Sequence, residues 1–422
     1  MKKVALFILS ITVLLCLAAC NQEQEQAHTP EHTHSFGEWS VSEDATCTEE
    51  GVKVRYCDCG EMQSEAIPAI GHNYVDNVCD KCSQVTLAAG LYDQNDKLLA
   101  SWDTLVDTYG FNIQKLYYSS YDSASSTTSL YYILNNNPEL STASKLVIDN
   151  NITIIGTFAF SDCDSLTSVI IGDGVITIWD MAFEKCSNLT SVVLGDSVEN
   201  IYDSAFSWCD SLTSIVIPDS VGLIGKHAFS YCFSLTSVVM GDNVAYISEG
   251  AFLNCSSLTS ISIPDSVIYI GGQAFYLCSN LTSVVIPDSV VYIGDGAFNC
   301  DRLASITVDT NNTKYKSIDG NLYSIDGNVL IQYAIGKPET KFTVPDGVTS
   351  IGYGSFYGCS SLTSVVIPDS VTSIDEWAFY NCENFKDVYY TGSEEEWNAI
   401  TIDSFNNYLA EATIHLNYVP EN

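Results

Sequence analysis

The sequence predicts a solenoid, mainly β with short helical or 3-10 turns and a parallel sheet along one face, and three observations predict it. A phenylalanine returns every 23 residues at Phe160, Phe183, Phe206, Phe229, Phe252, Phe275 and Phe298, and the same interval separates Phe356 from Phe379. Within each unit, apolar and polar residues alternate as in a strand with one buried face. The chain is also 422 residues long, beyond what one hydrophobic core organises, so it is several domains or an elongated repeat. A lone 23-residue coil cannot bury its apolar stripe, whereas stacked coils share a continuous core.

Taken in order, residues 1–19 (MKKVALFILSITVLLCLAA) have two lysines, an apolar run and small residues at the end, the layout of a secretory signal peptide. The segment Leu17-Ala18-Ala19-Cys20 resembles the bacterial lipobox, which implies cleavage before Cys20 and lipidation of its thiol. The lipid would then be the only membrane contact. Residues 20–35 read as a flexible tether, polar and poor in apolar side chains.

Residues 36–84 form a cysteine-rich mini-module too small to hold a core unaided. It contains Cys47, Cys57, Cys59, Cys79 and Cys82, with His34 and His72 nearby. The pairs Cys57/Cys59 and Cys79/Cys82 resemble the thiolate pairs of a zinc ribbon, although the first is one residue short. Structural zinc on these four thiols, disulfides, or neither stand as alternatives, and each gives the module a structural role. No cofactor is required elsewhere.

Residues 85–150 are expected to close the first coil. LLASWDTLVDTYGF has helical apolar spacing through Leu99, Trp102, Leu105 and Val106, and SLYYILNNNPEL suits a second short helix. Residues 151–390 carry nine coils by the phenylalanine count. Each reads approximately A-F-x-x-C-x-x-L-T-S-V-x-I-P-D-S-V-x-x-I-G, as from Ala274 to Gly294, which is the aliphatic grammar of a leucine-rich repeat. Leu281, Val284 and Ile286 mark a strand, Pro-Asp-Ser a turn, and Val290 with Ile293 the way back to a turn bearing Ala297 and Phe298. An insert near 309–344 has Asp319-Gly320 and Asp326-Gly327 between β-rich runs, which signals hairpins, and serves packing or forms a binding loop. Residues 391–422 form the other cap, with a capping box at Ser393 and Glu396, a helix with Trp397, and the final strand ATIHLNYV.

The unit resembles the BspA-like, or treponemal-type, leucine-rich repeats of bacterial surface proteins, which share its length and its alanine-phenylalanine and cysteine positions. The resemblance covers residues from about 150 to 390 and implies a lipid-anchored protein of the bacterial cell surface that binds an extracellular protein or glycan. The alternative is a structural scaffolding lipoprotein of the envelope; a surface hydrolase or solute-capture lipoprotein is a third reading for which the sequence offers no site.

With 52 acidic residues against 16 basic, the surface lacks the cationic footprint that nucleic acid or anionic headgroups require. No enzyme is expected, because no base stands beside a nucleophile and His227, the one histidine in the repeat body, occupies a variable, exposed position next to Lys226. The turn aspartates, Asp173 to Asp369, suit their turns without any calcium. The nine repeat cysteines, one per coil, are expected as buried free thiols donating weakly to backbone carbonyls. Two surfaces are candidates for contact. Ile170, Val193, Val216, Val239, Val285 and Val366 should point outward beside a serine column, and Tyr246, Tyr269 and Tyr292 should line up at the outward position before the second aliphatic. The tyrosines could equally serve to stiffen the stack.

Overall fold

The computed structural model describes residues 40–43, 51–56, 62–67, 74–75, 78–79, 87–113 and 130–420. Cys20, Cys57, Cys59 and Cys82 lie outside them, and of Cys79 only the backbone is described. The chain divides after Leu87 into two units. In the first, Ser40–Glu43, Gly51–Tyr56 and Met62–Ile67 form a three-stranded antiparallel sheet, and Tyr74–Val75 pairs antiparallel with Val78–Cys79.

The second unit is a mainly β solenoid of about twelve turns, more than the phenylalanine count of nine because both caps contribute strands. The expected parallel sheet of short strands is present, with strands of three or four residues, but its ladder comes in separate pieces. Lys145–Val147, Ser168–Ile170 and Ser191–Val193 are joined, Ser214–Ile217 pairs with Ser237–Met240, and Ser283–Ile286 pairs with Ser305–Val308. The second aliphatic pair of each coil, read from sequence only as a return, forms a sheet of its own. Seven two-residue strands from Ile154–Ile155 to Tyr292–Ile293 pair without a gap.

Each letter of the repeat has a physical task. The phenylalanines are buried and stack on one another, from 4.9 Å between Phe160 and Phe183 to 5.5 Å between Phe275 and Phe298, and the latter pair is within 5° of parallel. The threonines stitch neighbouring coils, as where the Thr190 hydroxyl donates to the Thr167 carbonyl at 2.9 Å. The turn serines do the same; the Ser289 hydroxyl donates to the Val267 carbonyl at 2.7 Å. The turns on the phenylalanine side close through i→i−3 bonds such as Ala297 N–H to the Gly294 carbonyl, a 3-10 pattern. Most coils need two left-handed residues here, for instance Met181 and Lys185 at φ of 55° and 59°, a demand not anticipated from the sequence.

The insert contains the expected hairpins. Tyr315–Ile318, Asn321–Ser324 and Val329–Gln332 form an antiparallel meander, and the last strand then pairs in parallel with Ser350–Ile351 and restarts the stack. Successive side chains of its middle strand serve different cores: Leu322 joins the buried cluster of the coils before it and Tyr323 that of the coils after it. The insert is therefore a packed junction.

At the N-terminal cap the helical reading of Leu99 is corrected. Leu98–Ser101 is a strand, paired with Gly90–Tyr92, which in turn pairs with Lys145–Val147. Ladder bonds at the sheet edge override the local helical period. The helix begins only at Trp102, its first turn capped by the Ser101 hydroxyl, and Val106 is exposed. A second helix spans Leu130–Asn136. At the other end the capping box of Ser393 and Glu396 opens the helix Glu394–Ala399, and Thr413–His415 closes the long-strand sheet against Asp387–Tyr390.

Candidate functional site

The nine repeat thiols are buried and form no disulfide. Seven donate to the carbonyl of a phenylalanine in the preceding coil, at 3.0 Å for Cys300 and Phe275 to 3.3 Å for Cys209 and Phe183. Cys300, in the coil that is one residue short, still reaches its carbonyl. Burial pushes Cys232 up to about 12, and it raises the other eight as well. These thiols are packing groups held protonated.

The turn aspartates work between coils. The Asp173 carboxylate accepts the Asp196 N–H at 3.2 Å, and Asp219 accepts that of Asp242 at 3.0 Å. Among the described residues no cluster of three or more His, Cys, Asp or Glu could hold a metal ion. His227 is half-buried and not exposed as expected. It lies against Gly250 of the next coil, where a Cβ would come within 2.4 Å of Nδ1, so its ring is a packing element. His415, in the C-terminal cap, pairs with Asp387 at 2.7 Å and stacks on Tyr389, an arrangement unforeseen from the sequence.

On the long-strand face Val193, Val216, Val239 and Val285 are 53%, 61%, 53% and 60% exposed, and Ile170 is half-buried. Ser262 replaces valine in this column and ends the stripe after three coils, where residues 260–263 form no strand. The ladder is also open between Ser191–Val193 and Ser214–Ile217. A groove of about 610 Å³ runs along these coils, lined by Val193, Val216, Val239 and Met240, with Asp196 and Asp219 at its rim. Val366 departs from the expectation, being 2% exposed. Its partners on the neighbouring strands are Thr343 and Tyr389.

The tyrosine column lies on the short-strand face. Tyr269 and Tyr292 stack at 4.7 Å, whereas Tyr246 is 6.3 Å from Tyr269 and tilted. Tyr246 and Tyr292 are about half exposed and Tyr269 less so. Two further features were missed. Trp208 stacks on Tyr231 at 4.2 Å beside Phe233, at the left-handed position before the cysteine, where the sequence showed only variable letters. At the junction a cleft of about 220 Å³ is lined by Asp295, Tyr315, Gln332, Tyr353 and Asp375. Partial burial raises Asp375 above the usual carboxylate range, helped by Asp403 and Asp295.

The coil geometry and the repeat letters agree with one family. The description "BspA type Leucine rich repeat region" matches in six copies, over residues 132–246, 222–324 and 336–420. This chain is a BspA-type leucine-rich-repeat protein. No curated protein matches it. Solved structures similar to it include the pneumococcal vaccine antigen PcpA, at 22% identity and a TM-score of 0.45 over 58% of this chain and 60% of that one. A leucine rich cell surface protein from Faecalibacterium prausnitzii A2-165 is 28% identical, with a TM-score of 0.43, over 62% of this chain and 82% of its own. The leucine-rich repeat protein of T. pallidum is 23% identical, with a TM-score of 0.28, over 56% of this chain and 72% of its own. The BspA-type chain spans 60% of the length of the pneumococcal antigen.

Proposed function

We propose that this BspA-type protein is displayed on the bacterial cell surface through a lipid on Cys20 and that its solenoid binds an extracellular protein or glycan without catalysing a reaction. The observation that supports binding most strongly is the open valine stripe. A soluble protein normally keeps such a row of apolar side chains covered, and an uncovered one on a rigid strand platform is a contact surface waiting for its partner. The tyrosine column of the short-strand face, with Tyr269 and Tyr292 stacked at 4.7 Å, we read as stiffening the stack. The acidic surface favours basic partners and disfavours nucleic acid. In the cysteine-rich module we propose structural zinc on Cys57, Cys59, Cys79 and Cys82, with disulfides as the alternative.

The test is an array of purified extracellular proteins and glycans probed with the full chain. Saturable binding to at least one is expected. Absence of any, together with co-purification of the producing cell's own envelope proteins, would overturn the reading in favour of a scaffold.

A further inference from the structure

The outward column of the long strands is closed at both ends and open in the middle, and its C-terminal closure shows what fits it. Val147, toward the N-terminal end, is 7% exposed, nearly as buried as Val366. Over Val366 the cover comes from the chain itself. Lys341 and Tyr389 belong to the strands on either side of Ser364–Ile367. The last segment is hydrogen-bonded alongside, with the Tyr418 N–H donating to the Tyr390 carbonyl at 2.9 Å. Its side chain crosses back, and the Lys341 ammonium donates to the Tyr418 hydroxyl at 3.0 Å. That ammonium lies 4.8 Å from the Tyr389 ring centre and 5.0 Å from that of Tyr418, within cation–π range of both. On the strand between them, Ser364, opposite Lys341, and Val366, opposite Tyr389, are both buried. An outward valine of this fold thus accepts aromatic rings with an amine between them, delivered in part by an extended segment.

The open stretch repeats the same outward valine but supplies no such cover. Where the strand before Val366 has Lys341, the coils before Val193, Val216 and Val239 have Ser168, Ser191 and Ser214 at that place, and Asp196 and Asp219 line the groove. Ring and cation must therefore come from the occupant. We propose that Val193, Val216 and Val239 bind an extended segment of a partner protein in which lysine or arginine stands beside aromatic residues, the rings lying on the valines and the cations reaching Asp196 and Asp219. This rests on the surface-binding reading above and specifies its partner. A second copy of the chain fits poorly, because a net charge of −36 with only 16 basic residues makes copies repel.

The test uses the full chain and short labelled synthetic peptides, read by fluorescence anisotropy. A lysine–tyrosine alternating peptide should bind, and bind more weakly as salt shortens the Debye length from about 30 Å at 0.01 M to about 8 Å at 0.15 M. Glutamate–tyrosine and lysine–serine peptides should bind at least about tenfold more weakly, a difference of about 1.4 kcal/mol. The triple variant Val193→Thr, Val216→Thr and Val239→Thr keeps β-branching, so it should fold as the parent does and lose about tenfold in affinity. The variant with Tyr246, Tyr269 and Tyr292 changed to serine should bind as the parent does. Equal binding of the lysine–serine peptide, loss in the tyrosine variant alone, or self-association abolished by the threonine changes would each overturn the inference. If no peptide binds while an extracellular protein still does, this inference fails and the surface-binding reading stands; if neither binds, both fail.

Discussion

Raising the pH should unfold the solenoid sharply, and the buried thiols set the size of the effect. In the folded chain burial raises all nine, well above the ordinary range for all but Cys278 and Cys359. In the unfolded chain they ionise near pH 8.5, about the free-cysteine value. Above that point the unfolded state binds fewer protons, so stability falls as pH rises; below it the contribution is fully present. Each thiol then removes about 1.4 kcal/mol per pH unit, roughly 2 kcal/mol by pH 10. Seven of the nine, Cys163 to Cys300, belong to the buried cluster before the junction. The six of them raised furthest, all but Cys278, remove about 12 kcal/mol by pH 10, as much as a whole domain's usual 5–15 kcal/mol. Urea titrations across a pH series measure the slope directly. It should be about 8 kcal/mol per pH unit for the parent and about 4 after Cys209→Ala, Cys232→Ala and Cys255→Ala. An unchanged slope in the variant, or thiolate absorbance in protein whose circular dichroism is still native, would refute the reasoning.

Phe229, stacked on Phe206 and Phe252 at 5.4 Å, should lose stability in the upper half of about 3–5 kcal/mol on change to alanine, since both ring faces are in contact. Hydrogen exchange should show the loss around Phe229 while Val365 and Val388, in the other buried cluster, keep their protection; a uniform rise would contradict two clusters. Gly296→Ala, where a Cβ meets nothing nearer than 3.9 Å but φ is 63°, should cost about 1 kcal/mol of backbone strain, read as a urea midpoint shift. Gly195→Ala, with the Gly172 carbonyl oxygen 2.5 Å from the new Cβ, should cost more; the reverse order would disprove the steric account. Cys20→Ser should release the protein from the membrane fraction, and a processed variant that still partitions into detergent would rule out the lipid.

The fold was legible because one period controls it. The 23-residue recurrence of phenylalanine, the alternation at Val284 and Ile286, and the Asp-Gly pairs of the insert each have a single inexpensive structural solution, and the structure adopts it. What sequence could not supply depends on contacts between coils or distant in the chain. Leu99 joined a strand because an edge was waiting for it. Val366 is buried where its strand pairs with those of Thr343 and Tyr389, in coils that depart from the repeat letters. The long-strand ladder is interrupted between coils with nearly the same letters, so no single coil encodes the gap. The left-handed residues left one clue: Gly250, Gly296 and Gly354 share a column with Met181, Ser204, His227 and Gln273, so a glycine recurring at one place marked the backbone conformation required there. The candidate surfaces were legible as columns of letters, but which valines stay open was not.

That the open valine stripe is the contact face is tested most directly by hydrogen exchange of the full chain, with and without a partner drawn from the array of extracellular proteins and glycans. Protection should rise along residues 191–242 on the long-strand face and leave Tyr246, Tyr269 and Tyr292 unchanged; protection confined to the tyrosine column or to the junction cleft would contradict it.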